Sequence, residues 1–314
     1  MADLQPGPSS YQSSRALFDV LIGEDAALPL IKASSSGDNM ILQSMLAQPQ
    51  WTKIMLEEPH CIYMQERPSQ DKSDVREVSA KELSNLERAI IKAAENGHAA
   101  AVSTLLGFAS QQSLEPSSVI TRWALDRTIN NGHAAVIKAL ASADPKIVTS
   151  LILGHGRLPI SQAVKRRQTE VVDVLLQLGA DPIPSASSPK DVGSYRSSLL
   201  SLAAKAEGTR MTELLLKHGV SVARSGALHL AAELGALDTM RLLIQHGADV
   251  DEQIPEDILP VYNGSLYASW TPMHFAASDG QVDAMKLLES NGARSDVKDE
   301  NGRTPGQLLE QRKL

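Results

Sequence analysis

The chain has 314 residues, of which 37 are acidic and 30 are basic, so its formal net charge is −7. This acidic balance comes without a basic stripe and therefore argues against a nucleic-acid partner. The single cysteine excludes an internal disulfide. No apolar run approaches the roughly 18 residues that are needed to span a bilayer, so we expect no membrane partner either.

Residues 1–27 are predicted to form a flexible N-terminal segment. Their first stretch, MADLQPGPSSYQSS, has no basic region followed by an apolar one, so it does not resemble a secretory signal. Together with the single cysteine, this predicts a cytoplasmic and/or nuclear protein.

A motif made of a small-residue pair, a short polar turn and an aliphatic run occurs six times, with a weaker earlier copy at Ala33. The first residues of the six pairs are Ala93, Thr128, Ala163, Ala203, Ala231 and Ala276. The intervals between them are 35, 35, 40, 28 and 45 residues. Glycine follows each of the last four by 16 positions. Such self-similarity indicates a repeat array.

Each repeated unit predicts a helical hairpin, because its apolar positions step by three and four along the chain. A polar turn with glycine separates a short first helix from a second one, and glycine just past the second helix is a stop signal. Such a hairpin cannot bury its apolar face alone, so the units must stack on one another.

Short motifs recur within these units. Thr271–Ala277 reads TPMHFAA, Gly226–Ala232 keeps its Leu-His-x-Ala core, and Gln245–Val250 and Lys298–Pro305 supply the matching ending and linking turn. These motifs resemble the ankyrin repeat, with its T-P-L-H-x-A signature. The resemblance implies an all-α solenoid of stacked helix-turn-helix units over residues 28–314, with about seven repeats and a C-terminal half-repeat.

The signature weakens before Leu158. The 35-residue spacing nevertheless predicts that residues 84–107 and 119–141 each form a helical hairpin, stacked in register with the later units.

The array is interrupted by insertions near residues 50–82, 182–197 and 251–270. Within the first insertion, residues 66–80 are polar and poor in large apolar groups, which predicts a mobile loop. The apolar residues before them, 51–56 and 61–64, either pack on the first repeats or form a binding surface.

The third insertion contains Asn263-Gly264 between β-forming residues, which is a strong hairpin signal. It predicts antiparallel strands near 259–262 and 265–268 that project as a finger. The aromatic anchors for a partner would be Tyr262, Tyr267 and Trp270. Alternatively, the two tyrosines pack on the adjacent repeat.

No catalytic or metal-binding constellation is recognisable. The chain has no nucleophile elbow, phosphate-binding loop or HExxH motif, so we expect no enzymatic activity, no cofactor and no metal. His60-Cys61 lacks the second ligand pair that a four-coordinate zinc site needs. His229 and His274 stand at the signature histidine, and the resemblance implies that each bonds the backbone of a neighbouring turn.

In ankyrin-like repeats, the two residues after the small pair face a concave groove. The resemblance therefore assigns to the groove Glu95, Asn96, Asn130, Asn131, Lys165, Arg166, Lys205, Glu233, Leu234, Ser278 and Asp279. This mixture of charges, amides and one apolar group favours an irregular protein surface over a polyanion or a membrane. The basic triplet Lys165–Arg167 is either a solvated turn or a nuclear signal.

The sequence thus predicts a non-enzymatic scaffold or adaptor that binds another protein in the ankyrin groove. One alternative is an acidic ankyrin regulator that masks a transcription or signalling factor. Another is an enzyme or small-molecule binder whose pocket is formed by the inserted loops.

Overall fold

The structure is a computed structural model that describes residues 18–21, 26–56, 61–67, 77–151, 153, 158–181, 198–205, 208–254, 267 and 269–312. The chain divides into two compact units, Met1–Ala124 and Leu125–Leu314. The division falls within one helix, α7, which runs from Arg122 to Asn130.

The first unit combines helices with a small sheet. Its elements are β1 (Phe18–Leu21), α1 (Leu28–Ser36), α2 (Asn39–Leu46), α3 (Pro49–Leu56), β2 (Cys61–Arg67), β3 (Glu77–Leu83), α4 (Asn85–Glu95), α5 (Ala99–Gln111) and α6 (Pro116–Val119).

The second unit is helical throughout its described residues. After α7 its elements are α8 (Ala134–Ala141), α9 (Pro145–Ser150), α10 (Pro159–Lys165), α11 (Thr169–Gln177), α12 (Leu199–Ala204), α13 (Arg210–Lys217), α14 (Ala227–Glu233), α15 (Leu237–Gln245), α16 (Pro272–Ser278), α17 (Val282–Ser290) and α18 (Pro305–Arg312).

The helices of the second unit form the predicted stacked hairpins. The inner helices α10, α12, α14, α16 and α18 pack one on the next in chain order, while α15 packs against α17 in the outer layer. The small-residue pairs lie at the inner contacts: Ala231 and Ala232 are fully buried, as are Ala276 and Ala277. The prediction of an all-α solenoid is therefore confirmed for these units.

The turn between the two helices of a hairpin needs a left-handed residue. In the α14–α15 turn this residue is Gly235, with φ of 64°. The backbone N–H of Ala236 then bonds the carbonyl of Ala231 at 2.9 Å. The next repeat also lies so close that a Cβ on Gly235 would be 2.5 Å from the side-chain oxygen of Gln281. Glycine is required here by both the backbone angle and the close packing.

The hairpin predicted over residues 84–107 is confirmed as α4 and α5, and 119–141 contains α7 and α8. A capping box starts α4: Ser84 Oγ accepts the N–H of Glu87 at 3.2 Å, and the Glu87 carboxylate accepts the N–H of Ser84 at 2.8 Å. Helix α4 packs on α1, and α5 packs on α2. In-register stacking onto the later units stays a prediction.

The sheet in the first unit was not predicted. Strands β1, β2 and β3 are antiparallel neighbours in that order, with Asp19 opposite Tyr63 and Glu66 opposite Val78. The prediction of a loop over residues 66–80 is wrong at 66–67 and 77–80, and residues 18–21 depart from the predicted flexible segment 1–27. Strand pairing satisfies backbone groups whatever the side-chain polarity, so composition alone missed it.

Helix α3 decides between the two interpretations of residues 51–56. Trp51 and Met55 are buried, and the side-chain amide of Asn85 donates to the carbonyl of Ile54 at 2.8 Å. This segment is therefore local core. The predicted insertions at 182–197 and 251–270 lie outside the described residues, except for residues 251–254, 267, 269 and 270.

Leu243 tests the stacking of the outer helices. Its side chain is 0% exposed in α15, so Leu243→Ala leaves a cavity in an internal repeat. We expect the free energy of unfolding to fall by about 2–5 kcal/mol in urea denaturation. The control is Leu234→Ala, which removes an exposed side chain and should change stability by less than about 0.5 kcal/mol. Equal urea midpoints for the two variants would contradict the assignment of the buried helix face.

Candidate partner-binding surface

The ends of the inner helices and the turns that follow them form one surface of the second unit, here called the turn surface. Its residues are Asn130, Asn131, Lys165, Arg166, Lys205, Glu233, Leu234, Ser278 and Asp279. Most of them are exposed, whereas Asn130, Glu233 and Ser278 are half-buried. The two remaining predicted groove residues, Glu95 and Asn96, belong to the first unit.

Some predicted groove residues serve the fold. Asn130 accepts a hydrogen bond from Gln162 at 2.8 Å and donates one to Asp126 at 2.9 Å. The hydroxyl of Ser278 donates to the carbonyl of Phe275 at 3.0 Å, one turn back in its own helix. These side chains are committed to internal contacts, which makes them poor candidates for recognising a partner.

The two groove residues of the first unit are also engaged. The carboxylate of Glu95 lies 3.3 Å from the ammonium of Lys92. The amide of Asn96 donates to Ser35 Oγ at 3.1 Å and to the Lys92 carbonyl at 2.9 Å.

Leu234 is the apolar centre of the turn surface. Its side chain is 51% exposed, although it directly follows α14, whose Ala231 and Ala232 are fully buried. The equivalent position holds Asp279 in the next repeat and Arg166 in the α10 repeat. The leucine therefore exposes apolar area where these two repeats carry charge.

The pKa of Glu233 depends on charged residues of the adjacent repeats. Partial burial raises its pKa, the negative charge of Asp279 raises it further, and the positive charge of Lys205 acts in the opposite direction. Lys205, Glu233 and Asp279 lie at the ends of α12, α14 and α16, which pack consecutively. The three turns thus form one electrostatically connected patch.

Two arginines, Arg312 and Arg167, donate hydrogen bonds to backbone carbonyls of the turn surface. Arg312, at the end of α18, donates to the carbonyl of Ser278, and the same nitrogen lies 3.5 Å from a carboxylate oxygen of Asp279. Arg167 donates to the carbonyl of Lys205 at 3.3 Å. Both guanidinium groups sit at the ends of inner helices, where unsatisfied carbonyls give a partial negative charge.

The described aromatic residues of the third insertion, Tyr267 and Trp270, lie in a core cluster. Trp270 is 6% exposed and packs with Ile254, Phe275 and Leu308. The ring of Tyr267 is half-buried beside it, with its centroid 4.9 Å from that of Trp270. The prediction that Trp270 is an exposed anchor is therefore wrong, because its ring is enclosed by the last repeats.

A buried carboxylate holds Trp270 in place. The indole N–H donates to Asp299 Oδ2 at 3.3 Å, and Arg303 Nη2 donates to the same oxygen at 2.7 Å. The Asp299 side chain has no exposed area. Burial raises the pKa of Asp299, but the hydrogen bonds and charge of Arg303 outweigh burial and hold that pKa below its ordinary value.

The rest of the predicted finger is not described. Tyr262 and the strands near 259–262 and 265–268 lie outside the described residues, except for Tyr267. The packing of Tyr267 against the core cluster agrees with the packed alternative for that residue, and the role of Tyr262 stays a prediction.

Comparison with known families agrees with the stacked hairpins. The family described as "Ankyrin repeats (3 copies)" matches residues 160–254, and that described as "Ankyrin repeats (many copies)" matches residues 228–289. Residues 160–289 therefore carry ankyrin repeats. A comparison with curated proteins gave no match.

Two solved ankyrin structures are similar to the chain. The human ASB11 ankyrin repeat domain is 23% identical, with a TM-score of 0.52 over 71% of this chain and 94% of that one. The ankyrin repeat domain of Bcl-3, described as a unique member of the IkappaB protein family, is 21% identical, with a TM-score of 0.54 over 73% of this chain and 97% of that one. At these identities the likeness concerns the fold.

The signature histidines of the ankyrin repeats hold neighbouring turns, as predicted. The Nε2 atom of His229 is 2.7 Å from the carbonyl of Glu252, and that of His274 is 3.3 Å from the carbonyl of Arg303. The Nδ1 atom of His274 is 2.9 Å from Thr271 Oγ1. At the matching position before His229 stands Gly226, which has no hydroxyl, and Nδ1 of His229 has no hydrogen-bond partner.

The residues that sequence reasoning missed are Asp299, Arg303 and Arg312. The linking turn between the last ankyrin units was recognised, but its buried ion pair was not. The Asp-x-x-Gly-Arg spacing of residues 299–303 was the available signal. Among the residues searched, no group of three His, Cys, Asp or Glu side chains could hold a metal ion, and no described helix is long and apolar enough to span a membrane.

His229 makes the stability of the array depend on pH. Burial lowers its pKa to about 4, from the ordinary value of 6.5. The unfolded chain therefore binds more protons between these values, so stability is complete above pH 6.5 and declines as the pH falls towards 4, by about 3 kcal/mol. Urea midpoints at pH 7 and pH 4.5 should differ less for His229→Gln than for the native chain. The control, His246→Gln, changes an exposed ring and should keep the native pH dependence.

Trp270→Phe tests the core assignment. The change keeps a ring but leaves the buried Asp299 without one donor, so we expect a loss of about 1–3 kcal/mol in unfolding free energy. The control is Tyr267→Phe, which keeps the ring that contacts Trp270. Its unfolding free energy should fall by about 0.5 kcal/mol or less. A native urea midpoint for Trp270→Phe would contradict the assignment of Trp270 to the core.

Proposed function

We propose that this chain is a non-enzymatic adaptor or scaffold that binds another protein through the turn surface of its second unit. Ankyrin repeats generally mediate protein–protein interaction, which supports the coarse function. The described residues add a specific surface on which a partner could be held.

The exposure of Leu234 carries this proposal. Its neighbours on the turn surface are the charged residues Lys205, Glu233 and Asp279. Protein interfaces commonly have an apolar centre and a polar rim, and this arrangement reproduces that pattern in small form. The leucine contributes little to the packing of its own repeat, so a partner that covers it would bury apolar area without disturbing the fold.

A photo-crosslinking experiment tests the proposal. The full chain, with p-benzoylphenylalanine in place of Leu234, is expressed in cells, irradiated, purified and analysed by mass spectrometry. The matched control carries the same group in place of Met40, which is 83% exposed in the first unit. We expect a discrete partner that crosslinks at position 234 and is absent from the position 40 sample.

The partner found in this way is then tested against Leu234→Asp. Placing a charge at the centre of the contact should weaken binding of the purified partner by about tenfold or more, with an unchanged melting temperature. Undiminished binding to Leu234→Asp, or the same crosslinked proteins at positions 234 and 40, would contradict the proposed role of the turn surface.

A further inference from the structure

The turn surface is ordered from positive to negative along the repeats. Lys165 and Arg166 lie at the end of α10, Lys205 at the end of α12, Glu233 and Leu234 at the end of α14, and Asp279 at the end of α16. Because α10, α12, α14 and α16 pack consecutively, these side chains occur along the surface in the same order. Basic groups lie at one end, Leu234 lies in the middle and two carboxylates lie towards the other end.

The acidic end brings two carboxylates close together. Glu233 is half-buried, and burial and the negative charge of Asp279 raise its pKa, while Lys205 opposes this and Arg312 contacts Asp279. A cation from a partner, placed against these carboxylates, would reduce their mutual repulsion further.

The chain itself illustrates how a cation binds at this kind of turn. Arg312 places its guanidinium on the turn after α16, where it contacts the carbonyl of Ser278 and the carboxylate of Asp279. Asp279 remains exposed, so its carboxylate can accept further hydrogen bonds. A second cation beside Glu233 would repeat an interaction that the fold already uses.

The spacing of the repeats determines the spacing of a complementary segment. Packed helices lie about 8–10 Å apart, and an extended chain rises about 3.3 Å per residue. One repeat therefore corresponds to about three residues of an extended segment. An apolar side chain above Leu234 would have its charged neighbours about three residues away on each side.

We propose that the turn surface binds an extended partner segment in which an acidic residue, an apolar residue and a basic residue follow one another at intervals of about three residues. The acidic residue lies against Lys205, the apolar residue covers Leu234, and the basic residue lies between Glu233 and Asp279. This inference rests on the proposed function, because it specifies the partner of the same surface.

The order of charges also excludes other partners. A uniformly acidic or uniformly basic segment would meet a like charge at one end of the surface, which is unfavourable. The surface therefore selects for an order of side chains and not for net charge. It leaves the backbone direction of the segment open, since either direction presents the same order.

Selection from a displayed library of random peptides, with the full chain as bait, tests the proposal. We expect enriched peptides with an acidic, an apolar and a basic residue at intervals of about three, in either backbone direction. Synthetic versions should lose about tenfold in affinity when their two charged residues are exchanged for one another. Raising the salt concentration should weaken binding, because the charged contacts are exposed.

Charge-reversed baits provide the matched controls. With Glu233→Lys and Asp279→Lys together, the selection should replace the basic residue of the peptide with an acidic one, while Lys205→Glu should replace the acidic residue with a basic one. Lys205 and Asp279 are exposed and Glu233 is half-buried, so we expect the variants to fold, and their melting temperatures are measured alongside.

The outcomes separate the two proposals. Peptides that depend on Leu234 but show no charge order, or whose order does not follow the reversed baits, overturn this inference and leave the proposed function in place. Peptides that bind equally well to Leu234→Asp, or a selection that enriches nothing, overturn both.

Discussion

Close contact between consecutive inner helices is the constraint on which the second unit depends. The contact is made by pairs of small residues, such as Ala231-Ala232 and Ala276-Ala277, which are fully buried between neighbouring repeats. Small side chains let the helices approach closely, and each repeat then buries the apolar face of the next. The left-handed glycine of the α14–α15 turn follows from the same contact, because at Gly235 the side chain of Gln281 occupies the space of a Cβ.

The same constraint explains why the turn surface can vary. The residues that hold the repeats together point into the stack or bond neighbouring turns, as His229 and His274 do. The second residue after the small pair is exposed in the α14 and α16 units, so one repeat can carry Leu234 where the next carries Asp279. A scaffold of this kind separates stability from recognition, and the order of charges along the surface can be selected without loss of packing.

The last repeats are closed by a different interaction. Asp299 is buried beneath Trp270 and receives hydrogen bonds from the indole and from Arg303. A buried carboxylate is tolerated only with such partners, because an unpaired charge loses its hydration without compensation. The pair therefore fixes the linking turn between α17 and α18 and holds Trp270 within the aromatic cluster.

The sequence by itself determined the repeats, the helical hairpins and the positions of the turn residues, because these depend on local periodicity and on short motifs such as Thr271–Ala277. It did not determine the sheet of the first unit or the burial of Trp270. Strand pairing joins Asp19 to Tyr63, and the indole of Trp270 meets a carboxylate 29 residues away. Only the tertiary structure decided these features, since burial and pairing depend on which distant segments meet in space.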